Sequence, residues 1–161
     1  MDEILEVLEK DARISPDDIA NMLNLPQEEI AGKIADYEEQ GIILGYKAII
    51  NKEKLGISHN KVRALIEVKV APEKDVGFDN IAKRIYSFDE VKSCYLLSGD
   101  YDLLLIIEGD DIHTVAGFVA EKLSPMKNVR GTSTHFLLKK YKEDGIMLVE
   151  KNEATRMPIS Y

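Results

Sequence analysis

Several features that define whole classes of protein are missing from this 161-residue sequence. Tryptophan is absent, and Cys94 is the only cysteine, so no disulfide can form within the chain. The longest apolar run, residues 103–107, is much shorter than the roughly 20 residues that cross a bilayer. No apolar leader follows the acidic residues 1–10. These absences predict a cytoplasmic protein without a membrane-spanning segment.

Motifs typical of enzymes and metal proteins are also missing. His59, His113 and His135 are not spaced as metal ligands, and the sequence contains no nucleophile–base pair, metal-binding cluster or phosphate-binding loop. Cys94 lies in a predicted strand, where it is interpreted as a small buried residue rather than a redox sensor. We therefore expect a protein that is not an enzyme and that holds no cofactor or metal.

Basic side chains are scarce at the start of the chain. Residues 1–45 contain Lys10, Arg13 and Lys33 against twelve acidic side chains, a net charge of −9. The other 116 residues carry 18 basic and 17 acidic side chains, which leaves −8 for the whole chain. Because proteins hold DNA mainly by neutralising phosphates with Lys and Arg, this distribution weighs against easy non-specific DNA binding.

The first 45 residues have the pattern of three short helices. Ser15 can cap the second helix, Pro16 suits its first position, and Asp18 can act as the capping-box partner. Pro26 opens the third helix and Gly41 ends it. The apolar positions at helical spacing are Ile4, Leu5 and Leu8, then Ile19, Ala20 and Leu23, then Ile30, Ile34 and Tyr37. A tight turn before the last helix favours a helix-turn-helix, although other three-helix bundles share the pattern.

The rest of the chain alternates between strand and helix patterns. The β-rich residues 42–51 predict a strand, and the polar residues 51–61 predict a connector. Beyond the connector, strands are predicted at 62–71, 91–98, 101–109 and 128–141, with helices at 76–88 and 111–123. This βαββαβ order predicts a ferredoxin-like unit, an antiparallel sheet with two helices on one face.

Apolar residues on these elements indicate which surfaces are buried. The inward positions are Ala64, Ile66, Val68 and Val70 on the first strand of this unit, and Ile112, Val115, Val119 and Leu123 on the second helix. The strand at 103–107 is apolar on both faces, although the helices can cover only one. We therefore expect a dimer formed sheet to sheet.

Four segments of this sequence resemble the Lrp/AsnC family of leucine- and asparagine-responsive regulators. They are "EILEVLEKDARIS", "YEEQGIILGYKAIIN", "VKSCYLLSGDYDLLLII" and "VRGTSTHFLLKKYK". The resemblance spans roughly residues 2–143. It implies a winged or strand-linked helix-turn-helix followed by a domain that senses a small molecule, usually an amino acid. It also implies homodimers that often assemble further, commonly to octamers.

The resemblance also implies where an effector binds. By position it assigns Ser98, Gly99, Asp100, Tyr101, Asp102, Thr132 and Thr134, at a site between neighbouring subunits. A carboxylate of Asp100 or Asp102 can bind an ammonium group, whereas turn amides and threonine hydroxyls can bind a carboxylate. His135 follows the threonines and is a further candidate for this pocket. The alternative is that "GDYD" is only a tight hairpin turn.

The third helix is acidic for a helix that reads DNA. The candidates for DNA contact are Gln27, Glu28, Ala31, Lys33 and Lys47. Gln27 can reach adenine and Glu28 cytosine, whereas Lys33 stands where the family commonly has Arg. Two alternatives remain open. Either the acids are a solvated face and nearby bases (Lys47, Lys52, Lys54, Lys61, Arg63) contact DNA, or the unit contacts a protein.

The predicted fold class is α+β, with an N-terminal, winged-helix-like helix-turn-helix and a C-terminal βαββαβ ferredoxin-like domain. The expected boundaries are 1–45 for the helix-turn-helix, 46–61 for strand and linker, 62–143 for the sensing domain and 144–161 for an extension, in which 146–150 can add a strand to a sheet edge. The predicted function is a DNA-binding transcriptional regulator controlled by a small effector. The alternatives are an amino-acid-sensing oligomer that acts on a protein partner, and a fold-related tetrapyrrole decarboxylase. The second is disfavoured because "GDYDLLLIIE" contains neither His nor Arg.

Overall fold

The structure, a computed structural model, describes residues 2–51, 61–72 and 77–148. The chain divides into two compact units, Met1–Ile50 and Asn51–Tyr161. Most of the predicted connector, with Lys52, Lys54 and His59, lies outside the described residues, as does the sequence after residue 148. Among the helices of these ranges, none is both long and apolar enough to cross a membrane.

The N-terminal unit contains the three helices that the sequence predicts. They are α1 (Glu3–Lys10), α2 (Pro16–Leu23) and α3 (Gln27–Glu39). Their buried side chains are Ile4, Leu8, Ile19, Ala20 and Ile30. Leu23 and Ile34 are half-buried against this small core. The helical periodicity of the sequence is therefore confirmed.

Local hydrogen bonds fix where these helices start and stop. The Asp2 carboxylate accepts the Ile4 N–H at 2.9 Å and caps α1. The Ser15 hydroxyl accepts the Asp18 N–H at 3.1 Å and donates to the Asp18 carboxylate at 2.6 Å. Asn24 ends α2 in the left-handed conformation, at φ 53°. The Ser15 cap is confirmed, whereas the Asp18 carboxylate accepts the Ser15 hydroxyl and not the Ser15 N–H that a capping box requires.

The strand predicted at residues 42–51 is not formed. Residues 44–50 belong to neither a helix nor a strand, and Leu44 is 93% exposed. Their β-rich composition favours extended backbone, but a strand also needs a neighbour that completes its hydrogen bonds. Within the described part of the chain, no strand pairs with this segment. The prediction failed because composition does not supply that neighbour.

The C-terminal unit has the predicted βαββαβ order. Its elements are β1 (Val62–Val70), α4 (Asp79–Tyr86), β2 (Val91–Leu96), β3 (Leu103–Gly109), α5 (Ile112–Gly117), which continues as a π-helix (Phe118–Leu123), and β4 (Val129–Phe136). The four strands form one sheet in the order β2-β3-β1-β4, and every neighbouring pair is antiparallel. This topology confirms the predicted ferredoxin-like domain.

One face of this sheet is the core face, because the helices cover it. Ala64, Ile66 and Val68 are fully buried there, with Leu103, Leu105 and Ile107 opposite them on β3. Ile81, Ile85, Val115, Phe118 and Leu123 pack against them from the helices. The predicted inward face of β1 is confirmed.

The prediction that Ile112 of α5 points inward is wrong. Ile112 is 54% exposed, and Phe118, which the periodicity does not select, is buried instead. Phe118 and Leu123 are five residues apart and both point inward, as the wider π-helical turn allows. A pattern that assumes 3.6 residues per turn cannot anticipate this change of spacing.

The opposite face of the sheet, called here the open face, carries no helix. Cross-strand pairing places on it Arg63, Leu65, Glu67, Lys69, Ser93, Tyr95, Leu104, Ile106, Glu108, Ser133 and His135. Leu65, Leu104 and Ile106 are half-buried, and Tyr95 is 51% exposed. Its middle is therefore apolar, as the sequence of β3 predicts.

A small hairpin follows the sheet. It consists of β5 (Lys142–Glu143) and β6 (Ile146–Met147), joined by Asp144 and Gly145, both with positive φ. Positive φ at both central residues is the geometry of a type I′ turn, for which Asp-Gly is favoured. The expected extra strand is 146–150, and the part of it that the structure describes as a strand, Ile146–Met147, pairs with β5 and not with an edge of the main sheet. The strand β6 pairs with β5 because the two-residue turn places the two strands side by side.

Candidate effector turn and DNA-binding helix

The predicted effector residues 98–102 form the turn between β2 and β3. The Leu97 N–H donates to the Asp102 carbonyl at 2.8 Å and closes the turn. Gly99 has φ 138°, which L side chains rarely adopt. Ser98 and Asp100 are exposed, whereas Tyr101 is half-buried. The turn-forming role of Gly99 is therefore present in the structure.

Asp102 fixes this turn to the neighbouring strand β1. Its carboxylate accepts the Val70 N–H at 2.8 Å, and its own N–H donates to the Val68 carbonyl at 3.1 Å. The Asp102 N–H bonds to the Val68 carbonyl and the Asp102 carboxylate bonds to the Val70 N–H, so the turn is held at two positions of β1 that are two residues apart. The two aspartates of the turn consequently differ, because Asp102 is committed to the fold whereas Asp100 is exposed.

The two predicted threonines lie at the same end of the sheet but on the other side of β1. Thr132 pairs with Val68 and Thr134 with Ile66, so both share the core face and are half-buried. Two inter-strand spacings, roughly 10 Å, separate the backbones of β3 and β4. Within one chain, β1 therefore stands between the turn and the threonines.

His135 does not belong to the same face as the threonines. It pairs with Leu65 on the open face, where its Nε2 lies 3.3 Å from Glu67 Oε2 and 3.2 Å from the Ser133 hydroxyl. Successive residues of a strand point to opposite faces, so His135 and Thr134 cannot line one pocket of a single sheet face. Within one chain His135 therefore lies on the other face from the threonines, and its role in the effector pocket stays a prediction.

Cys94 lies on the core face, opposite Leu105, and packs against the hydrophobic core. Burial raises the pKa of its thiol, which disfavours the reactive thiolate. Cys94 is thus a small residue packed on the core as predicted, but it is half-buried rather than fully buried.

The helix α3 presents the predicted DNA-contact residues. Gln27, Glu28 and Ala31 are exposed, and Lys47 is exposed in the segment that follows the helix. The Lys33 ammonium lies 2.9 Å from the Glu29 carboxylate, one turn earlier. Glu29, which accepts a hydrogen bond from Lys33, raises the pKa of that ammonium. The single base of α3 is thus paired within its own helix.

Several acids of α3 have a structural role. Pro26 stands at the N-cap without a side-chain hydrogen bond, and Glu28 and Glu29 occupy the first turn. Negative charge there compensates the positive end of the helix dipole. Near the other end, the Glu38 carboxylate accepts a hydrogen bond from the Tyr46 hydroxyl at 2.9 Å. The acidity of α3 is therefore explained in part by folding.

Two bases considered as alternative DNA contacts are engaged in the C-terminal unit. The Arg63 guanidinium bonds to Glu143 at 2.8 Å and lies 3.8 Å from Glu108. Lys61 lies 3.9 Å from Asp110. Sequence patterns do not predict the Arg63–Glu143 bond, because 80 residues separate the partners. Arg63 is half-buried in this pair and is a poor candidate for a phosphate contact.

Two family models match the chain. A winged helix-turn-helix DNA-binding model matches residues 3–43, and the Lrp/AsnC ligand binding domain matches residues 63–147. The chain thus combines a DNA-binding helix-turn-helix with a ligand-binding domain.

Known proteins support this organisation along nearly the whole chain. The HTH-type transcriptional regulator YugG of Bacillus subtilis is 43% identical over 158 residues, which cover 98% of this chain and 95% of that protein. The regulator LrpA of Pyrococcus horikoshii is 32% identical over 86% of this chain and 94% of its own. A transcriptional regulator of Neisseria meningitidis, solved as a complex with L-Met, has a TM-score of 0.67 at 25% identity, over 89% of this chain and 93% of that one.

The chain belongs to the Lrp/AsnC family. It is a DNA-binding transcriptional regulator with a ligand-binding domain. Its relatives are transcriptional regulators, not enzymes, which bears out the prediction that this protein is not an enzyme.

Proposed function

We propose that this protein is an amino-acid-responsive regulator whose effector binds at the turn 98–102. Ser98, Gly99, Asp100, Tyr101 and Asp102 form the proposed site, with Thr132 and Thr134 contributed by a neighbouring subunit. Binding alters how dimers assemble into larger oligomers such as octamers, and this repositions the helix-turn-helix heads on DNA. The observation that carries the proposal is the fixed turn with its exposed carboxylate, Asp100.

The chemistry of the turn suits a small zwitterion. The exposed Asp100 carboxylate can pair with an ammonium group, and exposed amides around Gly99 can bind a carboxylate. The relative from Neisseria meningitidis, which was solved with L-Met, supports an amino acid as the class of ligand.

The separation of the turn from the threonines supports a site between subunits. Roughly 10 Å and the whole of β1 lie between the backbones of β3 and β4 in one chain. A small amino acid cannot span that distance through a strand. One ligand can contact both the turn and a threonine only if the two sets come from different copies.

Titration calorimetry with a panel of amino acids tests this site. We expect Asp100→Asn to weaken binding at least about tenfold without a change in melting temperature, since a charge-assisted hydrogen bond is lost. Asp102→Ala should lower the melting temperature because it leaves the Val70 N–H without its acceptor. Asp89→Asn, in the turn before β2, is the control. The site is refuted if no amino acid binds, or if Asp100→Asn binds as the unchanged protein does.

The same proposal includes a dimer whose two sheets meet through their open faces. Leu65, Leu104 and Ile106 are only half-buried in the single chain and form a continuous apolar centre on β1 and β3. Association would remove this apolar surface from water and is favourable for that reason.

On DNA we propose contacts from Gln27, Glu28, Ala31, Lys33 and Lys47, weak for each head and strengthened by multivalency. The paired state of Lys33 supports few phosphate contacts per head. A salt-series titration against DNA upstream of the gene, with an unrelated duplex as control, tests this. Sequence-preferring binding with a shallow salt slope is expected. No preference at low salt, with the oligomer intact, would instead favour action through a protein partner.

A further inference from the structure

The basic side chains in and after α3 differ in whether they are free to meet a phosphate. Lys33, the one base within α3, lies 2.9 Å from the Glu29 carboxylate. Lys47, in the segment after α3, is exposed and forms no ion pair with any residue that the structure describes. A phosphate has to compete with Glu29 for Lys33, whereas it can bind Lys47 without breaking a pair. Lys47 is therefore the stronger candidate for a contact with the DNA backbone.

The chain that leaves α3 is fixed by the way in which the helix ends. The Gly41 N–H donates to the Glu38 carbonyl at 3.1 Å. The Ile42 N–H donates to the Tyr37 carbonyl at 2.8 Å. These two bonds, with Gly41 at φ 68°, form the Schellman motif that ends many helices. Ile43 then packs, half-buried, against the small helical core, so the course of the chain is fixed as far as that residue.

Beyond Ile43, a side-chain hydrogen bond returns to α3. The Tyr46 hydroxyl donates to the Glu38 carboxylate at 2.9 Å. Burial, and then the bond to Glu38, raise the pKa of Tyr46, so its hydroxyl remains a donor at neutral pH. Among the described residues, no other hydrogen bond or ion pair connects residues 44–50 to the three helices. Tyr46 is thus the last such attachment before Lys47, its neighbour in the chain.

We propose that Tyr46 is a positioning residue for DNA binding, which holds Lys47 near the C-terminal end of α3. The inference rests on the DNA contacts of the proposed function. Phosphate contacts set the register and orientation of a head on the duplex, so the contacting base needs a fixed place relative to the reading helix. Consecutive Cα atoms are about 3.8 Å apart, so the bond from Tyr46 to Glu38 supplies that place.

Fluorescence anisotropy of the full-length protein with DNA upstream of its gene, over a series of salt concentrations, tests this role. We expect Lys47→Gln to lower the affinity and to reduce the salt slope by about one per head, as the loss of one phosphate contact does. Tyr46→Phe removes only the hydroxyl and should lower the affinity about threefold. In the Lys47→Gln background, Tyr46→Phe should have no further effect. A merely structural role of Tyr46 would lower the affinity equally in both backgrounds.

Substitutions at Glu38 separate the hydrogen bond from the charge. Glu38→Gln and Glu38→Ala both remove the negative charge, but only the glutamine side chain has an oxygen that can accept the Tyr46 hydroxyl. We expect Glu38→Gln to bind DNA at least as tightly as the unchanged protein, and about threefold more tightly than Glu38→Ala. Glu39 is the matched control, because its carboxylate accepts no hydrogen bond from the described residues. Glu39→Gln and Glu39→Ala should therefore bind equally.

The outcomes separate this inference from the proposal beneath it. A protein that does not prefer the upstream duplex to unrelated DNA, with its oligomer intact, would refute both the proposed DNA contacts and the role of Tyr46. If Lys47→Gln keeps the affinity and the salt slope, Lys47 makes no contact and the inference fails, whereas DNA binding by α3 stands. If Lys47→Gln weakens binding but Tyr46→Phe does not, or weakens it equally in both backgrounds, only the inference is refuted.

Discussion

The two units of this protein use charged side chains in different ways. In the N-terminal unit, acids cluster at helix starts, as with Asp2 at the cap of α1 and Asp17 and Asp18 in the first turn of α2. In the C-terminal unit, charges pair across distant elements, as Arg63 does with Glu143. The N-terminal acids thus compensate helix dipoles over a core of five buried residues. Net charge alone is therefore a poor guide to whether the head binds DNA.

The two units also differ in the size of their hydrophobic cores, and the largest effect is expected from a substitution in the smaller core. Ile30 is fully buried in the small N-terminal core, and Ile66 is fully buried in the larger C-terminal one. We expect Ile30→Ala to cost about 2–5 kcal/mol, enough to open the helical unit while the sheet remains folded. Hydrogen exchange read by mass spectrometry measures this, with Ile66→Ala as the matched change. Equal loss of protection in both units after Ile30→Ala would show that they unfold together.

A smaller effect is expected at the start of α2. Ser15→Ala removes the hydroxyl that accepts the Asp18 N–H, and should lower the free energy of unfolding by about 1 kcal/mol. Asn21→Ala, on the exposed surface of the same helix, is the control and should not destabilise it. Thermal denaturation followed by circular dichroism compares the two. A Ser15→Ala protein as stable as the control would show that acids elsewhere replace the cap.

Two of the acidic residues at the C-terminal end of α3, unlike those in its first turn, do not stabilise the helix and are expected only to weaken DNA binding. Asp36 and Glu39 are exposed near the C-terminus of the helix, where the last turn has no base. Negative charge there is unfavourable to the helix dipole and to phosphate. The double change Asp36→Asn and Glu39→Gln should raise DNA affinity about threefold at low salt, by fluorescence anisotropy. The matched pair Glu3→Gln and Glu9→Gln on α1 should change it less. A loss of affinity would mean that these acids assist recognition.

The smallest effect is local to the C-terminal hairpin. Lys140 first, and then Arg63, hold the pKa of Glu143 below its ordinary value. Because this pKa is lowered in the folded protein, the ionised Glu143 carboxylate stabilises the fold at pH values above its ordinary pKa of 4.5. This stabilisation is lost as the pH falls through the lowered pKa. We expect amide NMR signals of residues 142–147 to shift in that acidic range. Glu143→Gln should produce the shifted spectrum at neutral pH, whereas Asp144→Asn should not.

Local patterns in the sequence were sufficient for much of the fold. The alternation of Ala64, Ile66 and Val68 identifies a strand with one buried face, and the Ser15–Asp18 spacing identifies a helix start, because both depend on near neighbours. The failures depend on distant or irregular features. Phe118 is buried because the helix widens into a π-helix at that residue, and residues 44–50 lack a partner strand in the described chain.

The candidate site was predictable to a lesser degree. The resemblance selected the turn 98–102, but it could not distinguish Asp100 from Asp102, because the bond to Val70 spans 32 positions. It likewise could not place β1 between the turn and Thr132, which follows from the order of strands in the sheet. Contacts of this kind require the topology to be known.

The double attachment of Asp102 has a further consequence for any molecule that binds at the turn. Its bonds to Val68 and Val70 hold the backbone of the turn in place before a ligand arrives. Ordering a loose loop on binding costs conformational entropy, and that cost reduces affinity. Here the backbone has been ordered by folding, so binding at Asp100 needs to order little more than the ligand and one exposed side chain.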